Sequence, residues 1–542
     1  MVSLNRVAQR AGVIALVMLV AAGCGRREAP RAAGGSSDDG VITIPAGHLR
    51  PAAPVEGVRA YLGIPYGLPP VGTRRWTEAE PLPPSNREIG ASKYGLTCRQ
   101  RHDPNEPASD TPQGEDCLSL NVWRRASAAP GRPVMVWIHG GANVSGGTAD
   151  PFYDGHNFVR DNDVVLVSIN YRLGPFGFLD LSAEGDSIRF ARSRNLGLLD
   201  QLAALRWVRQ HIAAFGGDSA NVTVFGESAG GSAIMRLMAM PMAQGLFDKA
   251  IIESGGPANI PMRGVEPSSG VAAGKTLTRQ LMAATNVRDV AGLQSLTPDS
   301  ILAAAERVSA ARGDALGVST WGARADDVVL PTDILRRIRS GSARGVKVLI
   351  GTNEDEMLYF RLYDPHFEQS LMAEYHAKAA AMGRSFATVR AIADRYTAGS
   401  TDPMRYVDFA GELWIRQPSI LVAEAQASFA DTYMYLWTWD SRIPGMGACH
   451  AIELPFVFGH LSGTAAESLT GPNPPASLSR RVQAAWTAFA ASGSPDAPGE
   501  TPWPRYTDAT RATLLLDDGP WRVLNDPRRE ARLLLRQMYD VR

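Results

Sequence analysis

The stretch Asn-Val-Thr-Val-Phe-Gly-Glu-Ser-Ala-Gly-Gly-Ser, residues 221–232, decides the reading of the fold. Its first five residues are a short, mostly apolar and β-branched run of the kind that makes a buried strand. Gly226 to Gly230 then spell G-x-S-x-G around Ser228, and Gly230-Gly231-Ser-Ala-Ile-Met-Arg-Leu-Met opens a helix. Strand, tight turn and helix in that order are what a nucleophile elbow requires. The glycines leave room around a raised serine, and the helix N-terminus beneath it favours developing negative charge. The five-residue pattern alone is weak, because roughly one chain in five of this length contains one by chance at average Gly and Ser usage. Its position between a strand and a helix gives it weight over the bland alternative, a serine in an ordinary βα turn.

Working outward, Pro133 to Ile138 and Val164 to Ile169 are further short apolar runs ending at Gly or Asn turns, and they read as buried strands. Leu198 to Ile212 carries Leu199, Leu202, Leu205, Trp207 and Val208 near one helical stripe, stopped by Gly216-Gly217. More strands are expected at Lys347–Ile350 and Tyr433–Trp437. Ala-rich helical stretches at 300–312 and 371–396 read as insertions roofing the sheet's C-terminal edge. Strand alternating with helix predicts an α/β fold with a large, mostly parallel central sheet and helices on both faces. The Pro- and Gly-rich segments 465–476 and 491–504 read as surface loops. No internal repeat is visible. The 542 residues carry 55 basic and 55 acidic side chains, are 45% hydrophobic, and hold no basic block, so nucleic acid is excluded as a partner.

The N-terminus reads as an export signal. Arg6 and Arg10 precede the apolar run Ala11–Ala22, which is too short to span a bilayer comfortably, and Gly23-Cys24 follows. Val20 to Cys24 resembles the lipobox of bacterial lipoproteins, with Ala21 where leucine is usual. Residues 1–24 are therefore expected to be a lipoprotein signal and 25–40 a flexible tether, leaving 41–542 as the folded domain. The expectation is export from a bacterial cell and attachment to a membrane through lipidated Cys24, in the periplasm or outer membrane; an ordinary signal peptide would leave the protein periplasmic or secreted. Cys98 and Cys117 lie close in sequence, and a bridge closing such a loop stabilises by about 3 kcal/mol. Cys449 is then the odd thiol.

An elbow serine needs donors for an oxyanion. His-Gly-Gly-Ala-Asn (139–143) follows the strand ending at Ile138, where small residues let backbone N–H groups approach a substrate. Gly141 and Ala142, with Ala229 after the serine, are the expected donors.

These residues resemble the type-B carboxylesterase family, which includes the cholinesterases and bacterial p-nitrobenzyl esterases. Gly63–Gly72 resembles the family's opening segment, Glu115–Trp123 its second signature, Asn170–Leu179 another typical stretch, and Phe225–Ser232 its nucleophile signature. The resemblance covers the chain from about residue 41 onward and implies the α/β-hydrolase fold, carboxylic-ester hydrolysis through an acyl-enzyme, and no cofactor or metal. It implies Ser–Glu–His in that order: Ser228, then Glu356 in Gly-Thr-Asn-Glu-Asp-Glu (351–356), then His450 before Ala-Ile-Glu-Leu-Pro-Phe. Met357 stands where the family has glycine. Tyr359 and Phe360 match aromatic positions lining the family's binding gorge, though core packing explains such residues about as well. The resemblance also pairs Cys98 with Cys117, Arg75 with Glu115 and Arg172 with Asp200. The loop between Cys98 and Cys117 lacks the tryptophan that holds choline in cholinesterases, so choline specificity does not carry over.

His460 follows an apolar run and reads as a packing or surface residue. Cys449 touches His450 in sequence, but adjacent side chains point apart, and no papain-like signature surrounds it. Glu453 matches no acid position. The rival readings are a lipase for longer-chain esters and, on the same scaffold, a binding protein that has lost catalysis. The expected partner is a small-molecule ester, and no motif specifies an oligomeric state.

Overall fold

The computed structural model describes residues 39–539, apart from 102–111, 128, 185, 258, 261–270, 315–319 and 383–386. A ten-stranded sheet organises the chain. Its strands are β1 (Val58–Pro65), β2 (Ser119–Arg125), β3 (Arg132–Ile138), β4 (Val165–Ile169), β5 (Gly217–Glu227), β6 (Lys249–Glu253), β7 (Lys347–Asn353), β8 (Thr432–Trp437), β9 (Ala512–Leu516) and β10 (Arg522–Asn525). They lie in the order β10-β9-β8-β7-β6-β5-β3-β4-β2-β1. The run from β9 to β4 is parallel. At the edges, β10 on β9, β2 on β4 and β1 on β2 are antiparallel.

The fold is therefore the expected α/β-hydrolase architecture, with antiparallel strands added at both rims. Central strands such as β4, β6 and β8 are buried along their whole length, as strands covered on both faces must be. Among the covering helices are α1 (Leu196–His211), α2 (Ala229–Ala239) and α3 (Ala476–Ser492). The apolar residues form two clusters, one holding the α1 and α2 side chains and the other holding Trp137, Phe225, Phe458 and Trp486.

The expected strands at 133–138, 164–169, 221–225, 347–350 and 433–437 all form, most of them extended by a residue or more. Pro298–Ala311 is helical, and 371–396 divides between helices Phe367–Met382 and Ala387–Thr397. One reading is corrected: within 465–476, Thr464–Thr470 is a helix whose Thr470 hydroxyl donates to Ala466 O, so its glycine marks the helix end rather than a loop.

The Cys98–Cys117 disulfide is formed. Arg75 meets Glu115 at 2.5 and 2.6 Å, and Arg172 meets Asp200 at 2.7 Å through two guanidinium nitrogens. The 98–117 loop lies in part outside the described residues, and Cys24 with the whole of 1–38 lies outside them entirely.

Candidate active site

β5 ends at Glu227 and α2 begins at Ala229, so Ser228 alone makes the turn, with φ 56° and ψ −119°. A non-glycine residue in that region is strained, and surrounding bonds must hold it there. Ser228 N donates to Glu253 O at 3.0 Å, and Ser232 N donates to Ser228 O at 2.9 Å. Gly230 is required by close approach: a Cβ there would stand 2.0 Å from Ile138 O. The β3 strand end and α2 thus press together under the serine.

The segment after β3 carries three successive residues with positive φ: Gly141 (86°), Ala142 (53°) and Asn143 (63°). Val144 N and Ser145 N both donate back to Gly141 O at 2.9 Å, curling the segment into a tight loop. A Cβ on neighbouring Gly140 would lie 3.2 Å from Ser228 Cβ, so this loop stands against the serine. Among the described residues the amides of Gly141, Ala142 and Ala229 donate to no other group. His139 stacks on Tyr171 at 4.4 Å, and burial pulls its pKa down to about 4, so it is neutral. The Tyr171 hydroxyl donates to His139 O at 2.8 Å and fixes the loop's start.

His450 stands in the turn after β8 and is only 8% exposed. Its Nδ1 lies 2.6 Å from Glu356 Oε2, and its backbone N–H donates to Glu356 O at 3.1 Å. Glu356 is buried, and its other carboxylate oxygen accepts from Asn353 N at 2.8 Å. The carboxylate is therefore held by its own strand end while it orients the imidazole. His450 Nε2 faces Glu227 Oε1 at 3.0 Å, an ion-pair contact. The Ser228 hydroxyl makes no hydrogen bond to His450 in this arrangement. Burial alone would lower the His450 pKa, but the Glu227 and Glu356 charges outweigh it and hold the imidazole well above its ordinary range.

Sequence reading missed the carboxylates behind His450. Glu227 and Glu253 are register partners on β5 and β6, and Glu253 is matched with Gly351 on β7. Gly351 has no side chain, so the Tyr435 ring lies across it: a Cβ at 351 would stand 2.2 Å from that ring. Glu253 Oε1 accepts from Trp486 Nε1 at 3.1 Å, and Glu453 Oε2 accepts from Asn353 Nδ2 at 2.6 Å. Burial pushes Glu253 up to about 8 and Glu453 well above the usual carboxylate range, each helped by the neighbouring carboxylates. Both therefore hold their protons more tightly than an exposed glutamate does. The available signal was a glutamate closing the apolar run Ala250-Ile251-Ile252, an unusual place for a charge.

The remaining expected residues are placed as follows. Tyr359 presents an edge to His450 with centroids 5.9 Å apart, and Phe360 packs on Phe367 at 5.4 Å. Met357 is buried and packs beside Gly411, where a Cβ would sit 3.6 Å from Met357 Cγ, an ordinary van der Waals contact. Cys449 is a buried free thiol whose pKa is pushed far up by burial, and Asn353 Nδ2 donates to its carbonyl. His460 is half-buried, with Nε2 2.7 Å from Asp154 O, away from the site.

Comparison with known proteins agrees with this geometry. Residues 39–532 match the carboxylesterase family. The chain is 38% identical over 494 residues to the para-nitrobenzyl esterase of Bacillus subtilis (strain 168), covering 88% of this chain and 94% of that protein. It is 31% identical to the liver carboxylesterase of Sus scrofa over 494 residues, 83% of each chain. A solved thermophilic PNB esterase superposes with a TM-score of 0.79 at 34% identity, over 91% of this chain and 99% of that one. The chain belongs to the carboxylesterase family and is a carboxylic-ester hydrolase of α/β-hydrolase fold.

Proposed function

We infer that the enzyme cleaves carboxylic esters through an acyl-enzyme on Ser228, with His450 as base and Glu356 as its orienting acid. The observation that carries this reading is the buried 2.6 Å contact between Glu356 Oε2 and His450 Nδ1, within a site that also raises Ser228 on a strained turn. His450 Nε2 takes the hydroxyl proton as Ser228 Oγ attacks the ester carbonyl, and it later returns that proton to the leaving alcohol. Glu356 fixes the tautomer with the proton on Nδ1 and stabilises the imidazolium that forms. The unengaged amides of Gly141, Ala142 and Ala229 receive the developing oxyanion; losing one such donor costs roughly 3 kcal/mol of barrier. Tyr359 and Phe360 line the substrate side of this centre. Rapid mixing with 4-nitrophenyl acetate tests the acyl-enzyme: a burst of nitrophenol equal to the enzyme concentration is expected, and its absence with steady turnover contradicts a rate-limiting deacylation on one serine.

Glu227 sets the working pH. His450 must be neutral to accept the serine proton, so charges that raise its pKa move the acidic limb of kcat/KM upward. Glu227→Gln removes one of the two raising charges, and the limb is expected to move to lower pH in the variant. A limb that stays in place, or moves to higher pH, contradicts the contact.

The enzyme reaches the cell envelope through residues 1–24, with Cys24 acylated and 25–40 as a tether. Support comes from the basic start, the apolar run and the cysteine that closes it. Cys24→Ser is expected to abolish incorporation of labelled palmitate and to move activity from the membrane to the soluble fraction of the producing bacterium. Unchanged labelling and partition would defeat the lipoprotein reading.

A further inference from the structure

Arg236 is a buried cation that none of the chemistry above uses. It lies on α2, eight residues after Ser228, and is 9% exposed. Its Nε donates to Asn259 Oδ1 at 2.8 Å, while its buried Nη1 has no partner. Among the described residues no carboxylate pairs with it, although the chain carries 55 acidic side chains. Burial lowers its pKa only to about 10, so it stays charged at neutral pH. A neutral amide does not compensate a buried guanidinium, and an uncompensated buried charge is costly to keep. Such a group near a reaction centre is better explained by an absent anion than by packing.

Its surroundings connect it to the oxyanion loop. Asn259 Nδ2 reaches Ala323 O at 3.5 Å, and the adjacent Gly322 approaches Asn143 Nδ2, which a Cβ at 322 would meet at 3.8 Å. Asn143 closes the positive-φ run of the oxyanion loop, and its side-chain oxygen is also buried without a partner. Rotating that amide by half a turn offers an N–H in place of the oxygen. Arg236 on α2 and Asn143 in the oxyanion loop thus each carry an unpartnered buried polar atom, and Asn259, Ala323 and Gly322 link the two.

The site is electrically divided. The Glu227 and Glu356 carboxylates flank His450, whereas Arg236 lies on α2 beside Asn259, which in turn reaches Ala323. The leaving alcohol must lie by His450 to receive its proton, so the acyl part extends the other way. Eight helical residues separate Ser228 and Arg236 by about 12 Å along the axis, and helix side chains lean roughly one turn back toward the N-terminus. The guanidinium therefore falls about 6–7 Å from the level of the serine, the reach of a chain of a few methylenes.

We propose that Arg236, with Asn143 and Asn259, is an anion subsite that receives a carboxylate at the far end of the acyl chain, so that the enzyme selects half-esters of short dicarboxylic acids. The assignment rests on Ser228 being the nucleophile. It adds a charge-assisted contact that a neutral acyl chain of the same length cannot make.

The test compares monoethyl glutarate with ethyl pentanoate, two esters of equal acyl length, by ethanol release at pH 7.5. The wild-type kcat/KM ratio is expected to favour the half-ester by at least about tenfold, the worth of one buried charge-assisted contact. In Arg236→Met that ratio should fall by about 30-fold or more, and Arg236→Lys should keep part of it. A wild-type ratio at or below one, or a ratio that Arg236→Met leaves unchanged, overturns the proposal. Should Arg236→Met fail to fold, the wild-type enzyme still decides: glutarate must inhibit at lower concentration than pentanoate, and the reverse order overturns the subsite. Hydrolysis of neither ester would count against the esterase reading, whereas hydrolysis of ethyl pentanoate without half-ester preference removes the subsite alone.

Discussion

Ser228→Ala is expected to lower kcat for any ester substrate by at least about 10⁴-fold, since removing the nucleophile of such a triad leaves only binding and oxyanion stabilisation. The fold should survive the change. The hydroxyl takes no part in the bonds that hold the turn: Ser228 N still donates to Glu253 O, and Ser232 N still donates to Ser228 O. The positive φ at 228 is borne by a residue with a Cβ already, so alanine meets the strain that serine meets. No substitute nucleophile stands ready. Cys449 is fully buried with its pKa far above neutral, so it offers no thiolate. Circular dichroism should match the wild type while 4-nitrophenyl ester turnover falls to background. Retained activity within tenfold would place the chemistry elsewhere.

His450→Ala should cost turnover on the same scale, because the nucleophile and its base act as a unit. Its consequences for stability differ from those of Ser228→Ala. Glu356 Oε2 loses its 2.6 Å partner while buried, although Glu356 Oε1 keeps the Asn353 N–H. The Glu227 carboxylate also loses its facing nitrogen. The variant is therefore expected to fold but to melt at lower temperature than wild type, as an unpaired buried carboxylate demands. A thermal melt beside a kcat measurement checks both halves. Full activity would remove His450 from the mechanism, and an unchanged melting temperature would contradict the buried contact to Glu356.

Legibility in the sequence followed the range of the interactions. Short apolar runs exposed β3, β4, β5, β7 and β8, because strands buried on both faces have few polar positions to confuse the pattern. β6 escaped notice because Lys249 and Glu253 bracket only three apolar residues. The rim strands β1, β2 and β10 carry no uninterrupted apolar run: Arg59 and Gly63 break β1, Asn121 and two arginines break β2, and β10 is exposed at every position. The elbow was readable since strand, serine and helix adjoin. The oxyanion loop was readable for the same reason. Glu356 and His450 needed the family resemblance, being separated by most of a hundred residues. The carboxylate row around Glu227 and Glu253 depends on the register of β5 against β6, which a single sequence does not encode. The contact between Glu227 and His450 is likewise a product of register and of the turn after β8.

The central claim, that Ser228 is an activated nucleophile, is most directly tested by treating the full-length enzyme with a reactive organophosphate and weighing the intact protein and its peptides. The account predicts one phosphoryl adduct per chain, located on the peptide carrying Gly-Glu-Ser-Ala-Gly (226–230), with complete loss of esterase activity and no adduct in Ser228→Ala. No mass gain on an active enzyme, or an adduct at another residue that abolishes turnover while Ser228 stays free, would contradict it.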